Sequence, residues 1–252
     1  APVLKLGFRL FRMIHRWKNL VHQMTRGFVG FVEVKYPAVA DMKSPEFLEG
    51  VRSSRVVFIS GYFFEAKGLF AKHAGAIRRQ FEFSEATRRN GGAYIDGLRE
   101  PGLEIVGVHI RHGDFREYCG GRWFYSAGQY AQVMRWVVAN HPERRFRFVV
   151  CSDAAQSPEA FAGLDVRIHA SDYHADLQVL ILCDCIISTS SSFARAAAFL
   201  GDIPLLRIFD PDLPASHQFV AIEYLEEGWH WESEMARVFG DARGDAARTG
   251  GG

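Results

Sequence analysis

Cysteine is scarce. The 252-residue chain has four, at 119, 151, 183 and 185, and no Cys-x-x-Cys pair. So low a count excludes a disulfide-built scaffold. Reduced, mostly buried thiols are expected, which points to a cytoplasmic setting. Cys183 and Cys185 stand two apart, but no His lies at ligand spacing, so they read as core and no metal site is expected. An excess of one charge is also lacking, because 30 Lys plus Arg face 29 Asp plus Glu for a net of +1. This excludes a globally basic nucleic-acid binder, and no nucleic-acid partner is expected. No apolar run reaches the roughly 18 residues of a membrane span. Nor does the N-terminus read as a signal peptide, since Lys5, Arg9 and Arg12 interrupt it and no small-residue cleavage site follows. What remains is ordinary for a chain that buries a core, with 48% hydrophobic and 23% charged residues.

From Leu4 to Met24, apolar residues recur at Leu10, Ile14, Trp17, Val21 and Met24 on one helical face. A core-facing helix is the first reading, and a basic helix making peripheral membrane contact is the second. Strands are expected at Phe28 to Val34 and Val56 to Ser60, with a helix over Glu65 to Arg79. After Asn90-Gly91-Gly92 the pattern sharpens. Strands are expected at Glu104 to Ile110, Phe146 to Cys151, Val166 to His169, Ile186 to Ser188 and Pro204 to Ile208. Helices are expected at Ser126 to Asn140, Ala175 to Cys183, Phe193 to Leu200 and Trp231 to Phe239. Ser126 and Gln129 form a capping box. Such alternation predicts an α/β fold with a parallel sheet. The Asn90 to Pro101 stretch is the expected domain boundary, giving domains 1–99 and 100–240. The Gly- and Arg-rich tail 241–252 has no apolar face and reads as disordered.

Ligands of open parallel sheets sit beyond the carboxyl ends of the strands. Two strand ends here carry unusual residues. After one comes Arg111-His112-Gly113-Asp114, in which Arg111 can clamp phosphate oxygens with two N–H groups and Asp114 can fix the turn or the Arg. A structural salt bridge explains the same pair. After another comes Ser188-Thr189-Ser190-Ser191-Ser192-Phe193, where hydroxyls and free N–H groups at a helix start favour an anion. One serine is explained as an N-cap, the run of five hydroxyls is not. Together the two ends suggest a diphosphate pocket.

His109-Ile110-Arg111-His112-Gly113-Asp114-Phe115 resembles the His-x-Arg-Arg-x-Asp signature shared by GDP-fucose-dependent α1,2-, α1,6- and protein O-fucosyltransferases. Further segments agree in order with the α1,2 family. They are Gly61 to Lys67 running on to Ile77 to Phe83, Phe148 to Asp153, and Asp176-Leu177 through Cys183 and Ile186-Ile187 to Ser191-Ser192-Phe193. The resemblance covers residues 55 to 208. It implies a GT-B-like fold of two Rossmann-like domains, the C-terminal one complete and the N-terminal one partial or diverged. It implies an inverting transfer of fucose from GDP-fucose to a glycan hydroxyl, α1,2 to galactose, without a cofactor or metal. By position, Arg111 would bind the β-phosphate, His109 and Asp172 would contact guanine, and Ser191, Ser192 and the Phe193 N–H would hold the diphosphate.

Two departures stand out. His112 replaces the family's second Arg, and nothing in residues 1 to 55 resembles the family's Gly-Gly-x-Gly-Asn-Gln loop. Either the first part of the N-terminal domain is lacking or it has diverged. No catalytic base can be read directly, and Glu117 is the nearest candidate carboxylate. Asp210-Pro211-Asp212 reads as a turn rather than a metal motif. Two alternatives stay open. One is a non-catalytic nucleotide-sugar-binding module. The other is a histidine phosphatase using Arg111-His112-Gly113, although that family carries the triplet near its N-terminus.

Overall fold

The computed structural model describes residues 16–208, apart from Arg26, Tyr36, Pro37, Val39, Tyr62, Phe63, Ala66, Lys67, Arg122 and Ser190. The expected helix at Trp231 to Phe239, the tail, Asp210-Pro211-Asp212 and Ser190 lie outside the described residues. Two compact units divide between Lys72 and His73.

In the first unit, helix α1 (Lys18–Met24) precedes strand β1 (Val29–Val34), which pairs in parallel with β3 (Val56–Gly61). Between them run the two-residue strand β2 (Ala40–Asp41) and helix α2 (Pro45–Arg52). Ser44 accepts the Phe47 N–H and Pro45 opens α2, an arrangement that satisfies the first turn at little cost. Strand β4 (Phe64–Glu65) pairs with β2. Phe31 and Phe58 stack across β1 and β3 with centroids 5.4 Å apart. The expected core-facing stripe of α1 is not buried where it is described. Lys18 pairs with Glu33 of β1, and Trp17, Leu20 and Met24 are exposed at 56%, 48% and 75%. Among the described residues, no helix is long and apolar enough to cross a membrane.

Helix α3 (Leu69–Gln80) begins four residues later than expected, because Glu65 belongs to β4. Helix α4 (Glu85–Asp96), capped by Ser84, then runs through the Asn90-Gly91-Gly92 sequence that reads as a break. Gly91 belongs there because of a close approach. A Cβ on it would meet Gln178 Cγ at 2.5 Å. The helix packs on the second unit's core through Ile95, so the boundary expected between 99 and 100 falls inside that unit.

The second unit is built on five parallel strands, β5 (Leu103–Ile110), β6 (Arg145–Ser152), β7 (Val166–His169), β8 (Cys185–Ser188) and β9 (Leu205–Arg207). Their order is β7-β6-β5-β8-β9. Alternation along the strands feeds two cores. Val106, Val108, Ile110, Phe148 and Val150 face one side, with Tyr130, Val133, Met134 and Val137 of helix α5 (Ala127–Asn140). Ile105, Val149 and Cys151 face the other, with α4, helix α6 (Tyr173–Leu180) and helix α7 (Ser192–Gly201). The expected capping box is present, with Ser126 accepting from Gln129 N and the Gln129 side chain accepting from Ser126 N. Both faces of the sheet are thus covered, as a fully apolar parallel sheet requires.

Candidate functional site

The strand order reverses between β5 and β8. One neighbour chain runs β5 to β6 to β7, the other β8 to β9, so the loops leaving β5 and β8 part at their carboxyl ends. This switch point is where open α/β sheets leave a crevice for ligand. The Arg111 loop leaves β5 and the Ser191 loop leaves β8 at that place.

Arg111 is not a free cation. Its Nε and Nη2 each donate to Asp114 carboxylate oxygens at 2.7 Å, and its guanidinium lies 5.0 Å from the Phe115 ring. The pairing raises the Arg111 pKa and lowers that of Asp114. The structural salt bridge is therefore present, and Asp114 occupies the Nε–Nη2 edge of the fork.

Asp153, at the end of β6, holds the same turn. Its carboxylate accepts the His112 N–H at 2.7 Å and the Gly113 N–H at 3.2 Å. A Cβ on Gly113 would come within 2.9 Å of Asp153 Oδ2, so the contact needs glycine. The Ser-Asp pair at the strand end was the sequence signal for this residue, but its role was not legible. His112 is engaged rather than presented. Its Nε2 lies 2.8 Å from the Tyr125 carbonyl, Nδ1 lies 3.2 Å from Gln156 Nε2, and the ring lies 4.7 Å from that of Phe124, tilted by 34°. A phosphatase nucleophile needs an accessible imidazole nitrogen, and these bonds take both. Arg116, the next cation, lies over the Phe124 ring at 4.5 Å.

His109 is buried at 6% exposure and faces the second core. Ser188 donates its hydroxyl to the His109 carbonyl at 2.9 Å, and the Phe193 ring lies 4.9 Å from the imidazole. Burial pushes its pKa down to about 4, Asp153 opposing and Arg111 reinforcing the shift, so the ring is neutral at pH 7.

The hydroxyl run divides its duties. Ser188 serves His109, and fully buried Thr189 lies 3.5 Å from the Tyr130 hydroxyl. Ser191 is the buried N-cap of α7, accepting from Ala194 N. Ser192 is exposed and Phe193 half-buried. The leading N–H groups of a helix have no intrahelical partner, so those of Ser192 and Phe193 face the switch point as donors.

Asp172 caps α6, its Oδ1 accepting from His174 N at 2.8 Å and Ala175 N at 3.0 Å. Those bonds lower its pKa. The helix starts at Tyr173, two residues before the expected Ala175, because Asp172 caps it. Glu117 is exposed, and its N–H closes a 3-10 turn on the Asp114 carbonyl. The structure therefore places His109, Arg111, Ser191, Ser192 and Phe193 around the carboxyl ends of β5 and β8, with His109 and Ser191 buried there. An open groove lined by Lys43, Pro45, Leu48, Glu49, Arg52 and Ser53 lies in the first unit and holds none of them.

Cys151, His169 and Asp176 also converge, their donor atoms all within 4.8 Å of one another. No spacing in the sequence announces this, because strand register and a helix start assemble it.

The second unit is thus an α/β fold with a parallel sheet covered by helices, and an arginine turn and a helix start lie at its switch point. The chain matches Glycosyl transferase family 11 over residues 11–232 and belongs to that family. It is 28% identical over 177 residues to galactoside alpha-(1,2)-fucosyltransferase 1 of Mus musculus, covering 58% of this chain and 46% of that one. The Bos taurus protein of the same name matches at 28%, covering 58% and 48%. The chain spans about half the length of the curated relatives it matches. Among solved structures it is similar to POFUT1 in complex with GDP, at TM-score 0.43 and 13% identity, covering 60% of this chain and 54% of that one. NodZ alpha-1,6-fucosyltransferase soaked with GDP-fucose is similar at TM-score 0.41 and 22% identity, covering 60% and 52%.

Proposed function

We propose that the protein transfers fucose from GDP-fucose to a glycan hydroxyl with inversion, in an α1,2 linkage to galactose. The observation that carries this reading is the meeting of the Arg111 turn and the α7 start at the switch point of the sheet. The family membership supplies the reaction class. In this reading the fold is GT-B-like, with a second Rossmann-like domain contributed by the N-terminal part of the chain.

The acceptor oxygen attacks fucose C1, and the bond from C1 to the β-phosphate oxygen breaks with its electron pair leaving on GDP. Negative charge grows on the diphosphate during this step. The free edge of Arg111 and the N–H groups of Ser192 and Phe193 stabilise it, in the place a divalent metal takes elsewhere. Transfer is therefore metal-independent. Neutral His109 and the Asp172 carboxylate read guanine. Glu117 takes the acceptor proton, as an exposed carboxylate beside the loop.

The test is a thermal-shift screen with GDP, GDP-fucose, GDP-mannose and a UDP-sugar, followed by mass spectrometry of galactose-terminated glycans incubated with GDP-fucose. A nucleotide at 100 times its dissociation constant stabilises by about 2.7 kcal/mol. Stabilisation by GDP and GDP-fucose with a fucosylated product is expected. No shift with any guanosine nucleotide overturns the reading. Binding of GDP-fucose without product identifies a non-catalytic module.

A further inference from the structure

We infer that Cys151, His169 and Asp176 form a transition-metal site of the zinc class, separate from the proposed nucleotide site. Each donor comes from a different element of the second unit. Cys151 lies near the end of β6, His169 ends β7, and Asp176 lies in the first turn of α6. Cys151 and His169 are register partners in adjacent parallel strands, so their side chains leave the same face of the sheet. Asp176 descends onto that face from the helix above. The three donor atoms lie within 4.8 Å of one another.

The chemistry of the set selects the metal. A thiolate, an imidazole and a carboxylate are zinc ligands, and three protein ligands leave a fourth position for water. Calcium and magnesium take oxygen ligands instead. Zinc bonds of 2.0 to 2.3 Å give tetrahedral ligand-to-ligand edges of about 3.3 to 3.8 Å. The present spacing lies within about 1 Å of those edges. His169 Nδ1 and Asp176 Oδ1 are closer, at 2.7 Å, because they share a hydrogen bond. A cation in place of that proton spreads them.

The surroundings favour a cation. Cys151 is fully buried and Asp176 is 6% exposed. Tyr94 of α4 reaches the same place, its ring 4.7 Å from that of His169, and Cys151, Cys183 and Asp176 all act on its phenol electrostatically. Arg167 also acts on Tyr94, but its guanidinium bonds Asp165. Around the Asp176 carboxylate the structure sets the Cys151 thiol, the Tyr94 phenol and the His169 imidazole. A buried carboxylate among acid groups is stabilised by a positive charge at their centre. His169, with 14% of its side chain exposed, is the point of entry. Binding forms Zn–S, Zn–N and Zn–O bonds, and the Cys151 thiol proton leaves to solvent.

The test is a titration of the full chain with Co²⁺ under reducing conditions after treatment with a chelator, followed by back-titration with Zn²⁺. One equivalent of cobalt is expected to give a thiolate charge-transfer band and the visible bands of a four-coordinate site, both removed by zinc. Cys151→Ser should abolish the charge-transfer band, while Cys119→Ser, Cys183→Ser and Cys185→Ser should retain it. His169→Gln should weaken binding at least tenfold with an unchanged circular dichroism spectrum, and it serves where Cys151→Ser fails to fold. Absence of the band in the parent protein, or its survival in Cys151→Ser, overturns the inference and leaves a hydrogen-bonded triad only.

Discussion

Removing the Arg111 guanidinium is the most direct probe of the proposed nucleotide site. The side chain leaves the end of a buried strand, and Asp114 holds it by two bonds of 2.7 Å, so its position is set before any ligand arrives. Truncating one member of a desolvated, hydrogen-bonded charge pair costs about 2 to 5 kcal/mol. Arg111 keeps 31% of its side chain exposed, and solvent screens part of its charge, which places it at the low end of that range. A loss of about 2 kcal/mol corresponds to GDP binding weakened about 30-fold in Arg111→Ala. Arg111→Lys should recover only part of this. An ammonium can neither keep both bonds to Asp114 nor present a second planar edge to phosphate.

Isothermal titration calorimetry measures the affinities, with circular dichroism confirming the fold. Guanosine lacks the phosphates and should bind parent and variant alike. Arg145→Ala is the positional control, because Arg145 opens β6 at the amino-terminal end of the strands, away from the Arg111 turn, and pairs there with Glu100. Arg116 is unsuitable, since it lies over the Phe124 ring, 4.7 Å from which lies the His112 ring. A folded Arg111→Ala that binds GDP like the parent would refute the placement of the diphosphate and with it the proposed transfer.

Three further outcomes follow from the same geometry. His109 titrates at about 4 in the fold against 6.5 when free, so the unfolded chain takes up the proton first. Stability is then full above pH 6.5 and falls by about 3 kcal/mol as the pH drops to 4. His109→Asn should flatten that limb of a urea-denaturation series, and an unchanged limb sinks the assignment. Asp172→Ser keeps a capping oxygen on α6 but removes the carboxylate, so GDP should lose affinity while the melting temperature holds. Equal loss in GDP and ADP affinity would exclude a guanine contact. Gly91→Ala should lower stability by about 1 to 3 kcal/mol, because the methyl overpacks against Gln178. Gly92→Ala, which meets nothing within 4 Å, should gain up to about 0.8 kcal/mol from helix propensity. Thermal melts of the pair in either reversed order contradict the packing.

The legible parts are those where local chemistry and tertiary packing demand the same thing. β5 is apolar at Ile105, Val106, Val108 and Ile110 because both faces are covered, and α5 carries its capping box and its stripe in one segment. The illegible parts are those where a neighbour distant in sequence overrides the local signal. Asn90-Gly91-Gly92 opens the stretch expected as a domain boundary, yet it is helical, and Gly91 stands there because Gln178 of α6 needs the space. Trp17 and Met24 read as core, yet Lys18 pairs with Glu33 and the apolar face stays exposed. In the crevice, Arg111 and the α7 start were visible as residue types at strand ends. The bonds of Asp114 and Asp153 to that loop depend on which strands are neighbours, and pattern alone does not give that.

Strand register also explains why polar groups collect where they do. His169, Cys151, His109, Ser188 and Arg207 are successive register partners across all five strands, so they form one row on one face of the sheet. Below the row, that face is apolar, with Ile105, Val149 and Ile186 packed under the helices. Above it, the strands end and the loops bearing Arg111, Asp153 and Ser191 begin. A polar row at this depth must be satisfied by protein, since water is largely excluded. Ser188 and Phe193 serve His109, and Asp176 serves His169. The row therefore joins two sites of different chemistry. Its centre, at the β5–β8 switch point, holds the neutral His109 imidazole beneath the loops that bear Arg111 and Ser191. Its β6–β7 end sets a thiol and an imidazole side by side beneath α6, where a single carboxylate completes a set of metal donors.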